Sequence, residues 1–207
     1  MKYKKLTGVI LKKQNYREAD QIITVWTKQA GKLRFLARGV RLTKSKLVYS
    51  LQDLSLAEME ITGSKHLPTL INAKTLKAFG LLRQDLVKIG IGLYAAELML
   101  KMTGDEHPNA PAFSLLLDFL EQLDTHFENP DIYLSLDQFS LGLMSVLGFK
   151  APQQVKTHRQ IKDFIESILE REIKSESFLT TNYSAYAQGF GGSAEGLSEG
   201  GQLLTMN

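Results

Sequence analysis

Near residue 80 the spacing of apolar residues changes from a period of two to a period of about 3.6, so the chain has to build a sheet first and helices second. Upstream, Leu6 to Leu11 is an apolar run carrying Val9 and Ile10, and Ile22 to Thr27 is β-branched and aromatic, with Ile23, Val25 and Trp26. Lys32 to Arg38 alternates, with Leu33, Phe35 and Ala37 on one face, Lys32, Arg34 and Arg38 on the other, and Leu36 as the exception. Ala57, Met59 and Ile61 alternate with Glu58 and Glu60, and Leu70 to Leu76 is a fifth strand candidate. Gly31, Gly39 and the Gly63-Ser64 pair stand at the strand ends, where turns need them.

Downstream, four apolar stripes recur at helical spacing. They are Leu82, Leu86, Ile89, Leu93, Ala96 and Leu100; Phe113, Leu116, Leu117, Leu120, Leu123 and Phe127; Leu136, Phe139, Leu143, Val146 and Leu147; and Ile161, Phe164, Ile165, Ile168, Leu169 and Ile173. Thr157 with Gln160 three residues later signals a reciprocal cap at the start of the fourth. The expected fold class is therefore α+β. Five short strands make an oligonucleotide/oligosaccharide-binding (OB) barrel the candidate for residues 1–80, and the helices form an all-α bundle over 81–179. From 180 to 207 a run rich in glycine and serine, without Lys or Arg, reads as a disordered tail that ends on the short apolar run 203–206.

Charge follows the same division. Residues 1–80 carry 16 Lys or Arg against 5 Asp or Glu, whereas residues 81–207 carry 9 against 17. A basic module joined to an acidic one points to a polyanion at one end and other partners at the other. The absence of cysteine removes disulfides, thiolate zinc sites, iron–sulfur clusters and cysteine nucleophiles. No run approaches the ~18 apolar residues of a membrane helix, and the Lys-rich start lacks the apolar stretch of a signal peptide. The expectation is a cytoplasmic protein with no cofactor and no small-molecule substrate.

The best-defined constellation runs from Gly31 to Lys46. Lys32, Arg34 and Arg38 lie along one strand face, and Arg41, Lys44 and Lys46 follow in a loop, six cations with no acid between them. Alternate residues of a strand are ~6.6 Å apart, close to the phosphate spacing of a nucleic-acid backbone, so such a row can track a strand. Lys12, Lys13 and Arg17, from the connection between the first two strands, can flank the same groove. Solvated edge-strand charge is the bland alternative. Trp26 and Phe35 occupy core positions, whereas Tyr16 and Tyr49 fall in loops and are the stacking candidates, so binding led by the backbone and tolerant of sequence is expected. His66, His107, His126 and His158 lack metal-ligand spacing, and Asp118, Glu121 and Asp124 read as the wet face of a helix. No phosphate-cradling glycine loop is present, and Gly90-Ile-Gly92 reads as a close-packing patch on a helix. No active site is expected, and no metal.

Several segments resemble the bacterial recombination mediator family RecO. These are Gly8-Val-Ile-Leu-Lys12, Asn15-Tyr-Arg-Glu-Ala-Asp20, and Gly31-Lys-Leu-Arg-Phe-Leu-Ala-Arg-Gly-Val-Arg41 in the barrel, with Leu81-Leu-Arg-Gln-Asp-Leu86 and Tyr94-Ala-Ala-Glu-Leu98 in the helical part. Leu147-Gly-Phe-Lys-Ala-Pro152 looks like the point where most members begin a four-cysteine zinc module, which this chain lacks. The resemblance covers residues 1–179. It implies a non-enzymatic protein of DNA repair, nucleoid-associated in the cytoplasm, that binds single- and double-stranded DNA and promotes strand annealing. Its implied partners are single-stranded DNA-binding protein and RecR, with which it assists RecA loading. A protein–protein adaptor and an RNA-binding OB-fold protein remain the alternative readings.

Overall fold

The computed structural model describes residues 3–42, 47–63, 67–125, 132–152, 154–177 and 179. The expected tail, 180–207, lies outside them, as do Lys44 and Lys46. Five strands, β1 (Lys4–Tyr16), β2 (Asp20–Thr27), β3 (Gly31–Ala37), β4 (Leu56–Thr62) and β5 (Thr69–Lys77), close a barrel in the order β1-β2-β3-β5-β4. All pairings are antiparallel except the short parallel contact of β3 with β5, where Leu36 faces Thr69. Leu36, the exception in the β3 pattern, takes the outer side by alternation and is nonetheless buried at the point where β5 joins the strand. A one-turn helix, α1 (Leu47–Ser50), which the strand pattern does not announce, lies between β3 and β4.

Ile10, Ile23, Val25, Phe35, Ala57 and Met59 fill the barrel and are fully buried. The outer faces of β1 and β2 are not all wet. Val9, Leu11 and Trp26 belong to the apolar core of the helical part, and the bulge between Ile10 and Lys12 leaves Leu11 as the extra residue, so that Lys12 follows it onto the outer face. A barrel wall is thus shared between two cores.

A 3-10 turn at Leu82–Gln84 leads into α2 (Leu86–Met102), followed by α3 (Ala110–Leu123), α4 (Ile132–Val146) and α5 (His158–Leu169). The expected cap is present, since the Thr157 side chain accepts from Gln160 N while Gln160 reaches back to the Thr157 amide. In α2 the expected stripe is displaced. Leu86 is 60% exposed, whereas Val87, Ile91, Tyr94, Ala95, Leu98 and Met99 are buried. The cause is that α2 lies between β1 on one side and α3 and α4 on others, so nearly its whole circumference is covered and period alone does not fix one inner face. The close-packing reading of its glycines holds at Gly92, where a Cβ would lie 2.7 Å from Leu54 Cδ1. Ile173, assigned by pattern to the fourth helix, lies beyond it, after Glu170 turns left-handed (φ 52°), and is buried nonetheless.

The segment after α5 is held by charge. Glu97 of α2 accepts from Lys174 N, Ser175 N and Ser175 Oγ and pairs with Lys101 Nζ at 2.7 Å. Burial works against its charge, but these donors outweigh it and hold the carboxyl down at about 2. His158 places Nδ1 2.6 Å from Asp137 Oδ1 and Nε2 3.3 Å from Glu176 Oε1, and Lys162 Nζ lies 3.2 Å from Glu176 Oε2. Burial would lower the imidazole pKa, yet the two carboxylates push it up to about 9 from the usual 6.5. Because the folded value lies above the unfolded one, this stabilisation is complete below about pH 6.5 and is lost as pH rises through about 9. Urea unfolding is therefore expected to show the wild type losing on the order of 2–3 kcal/mol over that interval. His158→Gln should lack that loss, and equal pH profiles for the two proteins would contradict the ion-pair account.

Candidate nucleic-acid interface

Strand β3 is divided into two halves with different surroundings. At its start Gly31 has φ +70°, and a Cβ there would sit 2.2 Å from His107 O, so glycine is required by both conformation and space. The segment after α2 runs against this end, with Glu106 N donating to Lys32 O at 2.9 Å and Asp105 bridging to Lys32 in parallel. Lys32 is accordingly buried. Its ammonium donates to Leu100 O at 2.8 Å and Thr103 O at 2.5 Å, and lies 3.4 Å from Asp105 Oδ1. Leu100 O is one of the last carbonyls of α2, which no helical N–H can satisfy, so a barrel lysine caps a helix of the other part. Its expected place on an open cationic face is corrected on this geometry: the outer side of β3 at this point is covered by the helical part.

Beyond Lys32 the outer face opens. Directly opposite residues of neighbouring strands share a face, and the register puts Lys12 across from Thr24 and Thr24 across from Arg34. A row thus crosses three strands with a cation at each end, both exposed. Arg34 Nη2 is 3.9 Å from Asp105 Oδ2, with both side chains more than half exposed, which makes the pair a loose surface contact. Arg38 follows Arg34 on the same side and is exposed.

Two loops remote in sequence are fastened together beside this row. Gly39 N donates to Asp20 Oδ1 at 2.8 Å, Arg41 N to Ala19 O at 3.0 Å, and Arg41 Nη1 to Glu18 O at 2.9 Å. Val40, buried in the barrel core, anchors the turn from below. The result gathers Arg17, Arg38 and Arg41 at one end of the β1–β2–β3 wall. Among the described residues no carboxylate stands at ion-pair distance from Lys12, Arg17, Arg38 or Arg41. Asp20, one of the two acids in this region of the sequence, is occupied by the Gly39 amide.

Lys13 departs from the expected groove. It alternates to the other side of β1 and pairs with Asp53 Oδ2 at 3.4 Å, at the rim of a cleft of about 390 Å³ lined also by Leu82, Arg83 and Leu93. Tyr49 is 77% exposed on α1, which packs by β5 rather than by the β1–β2 hairpin. Sequence reasoning missed Asp124. Its carboxylate accepts from Leu81 N and Leu82 N at 2.8 and 2.9 Å and holds the start of the helical part, although helical spacing marks it only as wet. Among the described residues no group of three His, Asp or Glu side chains is arranged to hold a metal ion, and no helix is long and apolar enough to cross a membrane.

A closed five-stranded barrel in this order is an OB-type barrel, here joined to a helical domain and bearing a cationic outer wall. The family model for the N-terminal domain of recombination protein O matches residues 1–79, and that for its C-terminal domain matches 83–204, past the limit of 179 inferred from motifs. The chain belongs to the RecO family of DNA repair proteins. It is 34% identical over 146 residues to a DNA repair protein RecO of Anaeromyxobacter sp. (strain K), covering 70% of this chain and 56% of that protein. To the protein of the same name in Listeria monocytogenes serotype 4a (strain HCC23) it is 28% identical over 144 residues, covering 70% and 55%. The matched region thus spans little more than half the length of these relatives.

The buried ammonium makes a direct test of the β3 division. Lys32→Met keeps the stem but leaves the α2 carbonyls without a donor, and is expected to lower the unfolding free energy by about 2–3 kcal/mol. Arg34→Ala, on the open half, should change it by less than about 0.5 kcal/mol. Matching urea midpoints for the two variants would contradict this assignment.

Proposed function

We propose that the chain is a non-catalytic DNA-binding recombination mediator in repair, holding single- and double-stranded DNA on the β1–β2–β3 wall and promoting the annealing of complementary strands. The observation that supports this most is the concentration of Lys12, Arg34, Arg38, Arg17 and Arg41 on one side of the barrel, largely without carboxylates to neutralise them. A cationic wall takes the place of counterions around two phosphate backbones and lowers their mutual repulsion, so that base pairing proceeds. This requires no bond chemistry. Arginine guanidinia add paired donors matched to phosphate oxygens.

Membership of the RecO family supports the rest of the reading. Its partners are RecR and single-stranded DNA-binding protein, its outcome is assisted RecA loading, and its place is the cytoplasm, with the nucleoid. The acidic helical domain is the part left for protein partners, since its charge repels DNA.

Arg34, Arg38 and Arg41 changed together to Ala should weaken single-strand binding by about 30- to 1000-fold at moderate salt, and flatten the log–log salt dependence by about 2, at ~0.7 per lost phosphate contact. Fluorescence anisotropy across a salt series measures both. Retention of wild-type affinity and slope by the triple variant would overturn the assignment, and tighter binding of a matched RNA would move it to an RNA-binding protein.

A further inference from the structure

We infer that Tyr16, at the tip of the β1–β2 hairpin, is a stacking platform for an unpaired nucleobase, by which the barrel favours single-stranded over paired DNA. This rests on the DNA-binding reading above and adds the element that distinguishes strand states. Lys12, Gln14 and Tyr16 alternate along the outer face of β1, so the ring stands on the same side as the Lys12–Thr24–Arg34 row, ~13 Å away along the strand. It is 37% exposed, and the Arg17 guanidinium lies 5.2 Å from its centroid. That distance is within the range of cation–π attraction, which holds the ring in place.

The backbone supports the same purpose. Arg17 has φ 58°, a left-handed conformation that a glycine or asparagine adopts more readily, and its guanidinium is nonetheless kept over the ring. The fastening of residues 18–20 to 39–41 sets the arginines at 38 and 41 beside the same tip. An aromatic ring with one guanidinium over one face, and two more arginines at the same end of the wall, offers a nucleic acid two different contacts, stacking for a base on the other face and paired donors for its phosphates. Bases in a duplex have both faces occupied by neighbours, so only a strand with unpaired bases uses the ring. Cations alone hold either form.

The test compares the full chain with Tyr16→Ala and Tyr16→Phe, each titrated into a labelled oligothymidylate and into a duplex of matched length. Tyr16→Ala should weaken single-strand binding by about 5- to 100-fold, the range of one lost base stack, and leave duplex binding within about twofold. Tyr16→Phe should retain wild-type affinity for both, because the ring and not the hydroxyl carries the contact. The salt slope of Tyr16→Ala should stay at the wild-type value, since no phosphate contact is removed. Equal losses on both DNA forms, or no loss on either, would overturn the platform while leaving the cationic wall intact. Absence of DNA binding by the wild type would instead overturn the reading beneath it.

Discussion

The Lys32 ammonium is the contact on which the arrangement of this molecule depends. It ends on two carbonyls at the finish of α2 and on Asp105, so it closes the helix terminus and fixes the helical domain against the edge of β3 in one cluster. Gly31 makes the approach possible, because any side chain there would strike the His107 backbone. The same device recurs inside the helical domain, where the buried Lys88 donates to Thr125 O just past α3. Among the described residues both buried lysines donate to carbonyls at or just past a helix end.

The clamp also determines which cations remain available. It takes the first half of the β3 outer face for domain contact and leaves the second half, with Arg34 and then Arg38, open to solvent. The Asp20–Gly39 and Arg41–Glu18 hydrogen bonds then bring the hairpin tip alongside, so five cations from two strands and two loops share the wall. Each exposed cation is worth little as an internal ion pair. The loose Arg34–Asp105 contact and the lack of carboxylate partners at Lys12, Arg17, Arg38 and Arg41 are therefore cheap for folding and leave these cations available to a polyanion. The account of binding is additive and electrostatic, with one aromatic contact supplying discrimination.

Much of this was legible in the sequence, and the reasons for success and failure are physical. Alternation in 32–38 and 57–61 placed strands because a barrel wall has an inside and an outside, and the Thr157–Gln160 pair placed a helix start because capping is local. Lys32 was misjudged because alternation reports only which side of a strand a residue takes, and what covers that side is a tertiary matter. The α2 stripe failed for the same reason: a helix covered nearly all round has no single dry face to read. The His158 network and the Glu97 anchor join residues from α2, α4, α5 and the segment after it, and no spacing rule links positions so far apart. Arg34, Arg38 and Arg41 kept their expected exposure, since they follow the clamp in the chain instead of forming it.

The central claim is that the wall formed by the open half of β3, the outer face of β1 and the two fastened loops meets DNA while the helical domain does not. Amide chemical-shift mapping of the full chain during titration with an oligothymidylate tests it most directly. The account predicts shifts concentrated in residues 12–22 and 34–41, with α3, α4 and α5 unmoved. Shifts confined to those helices, with the barrel wall silent, would contradict it.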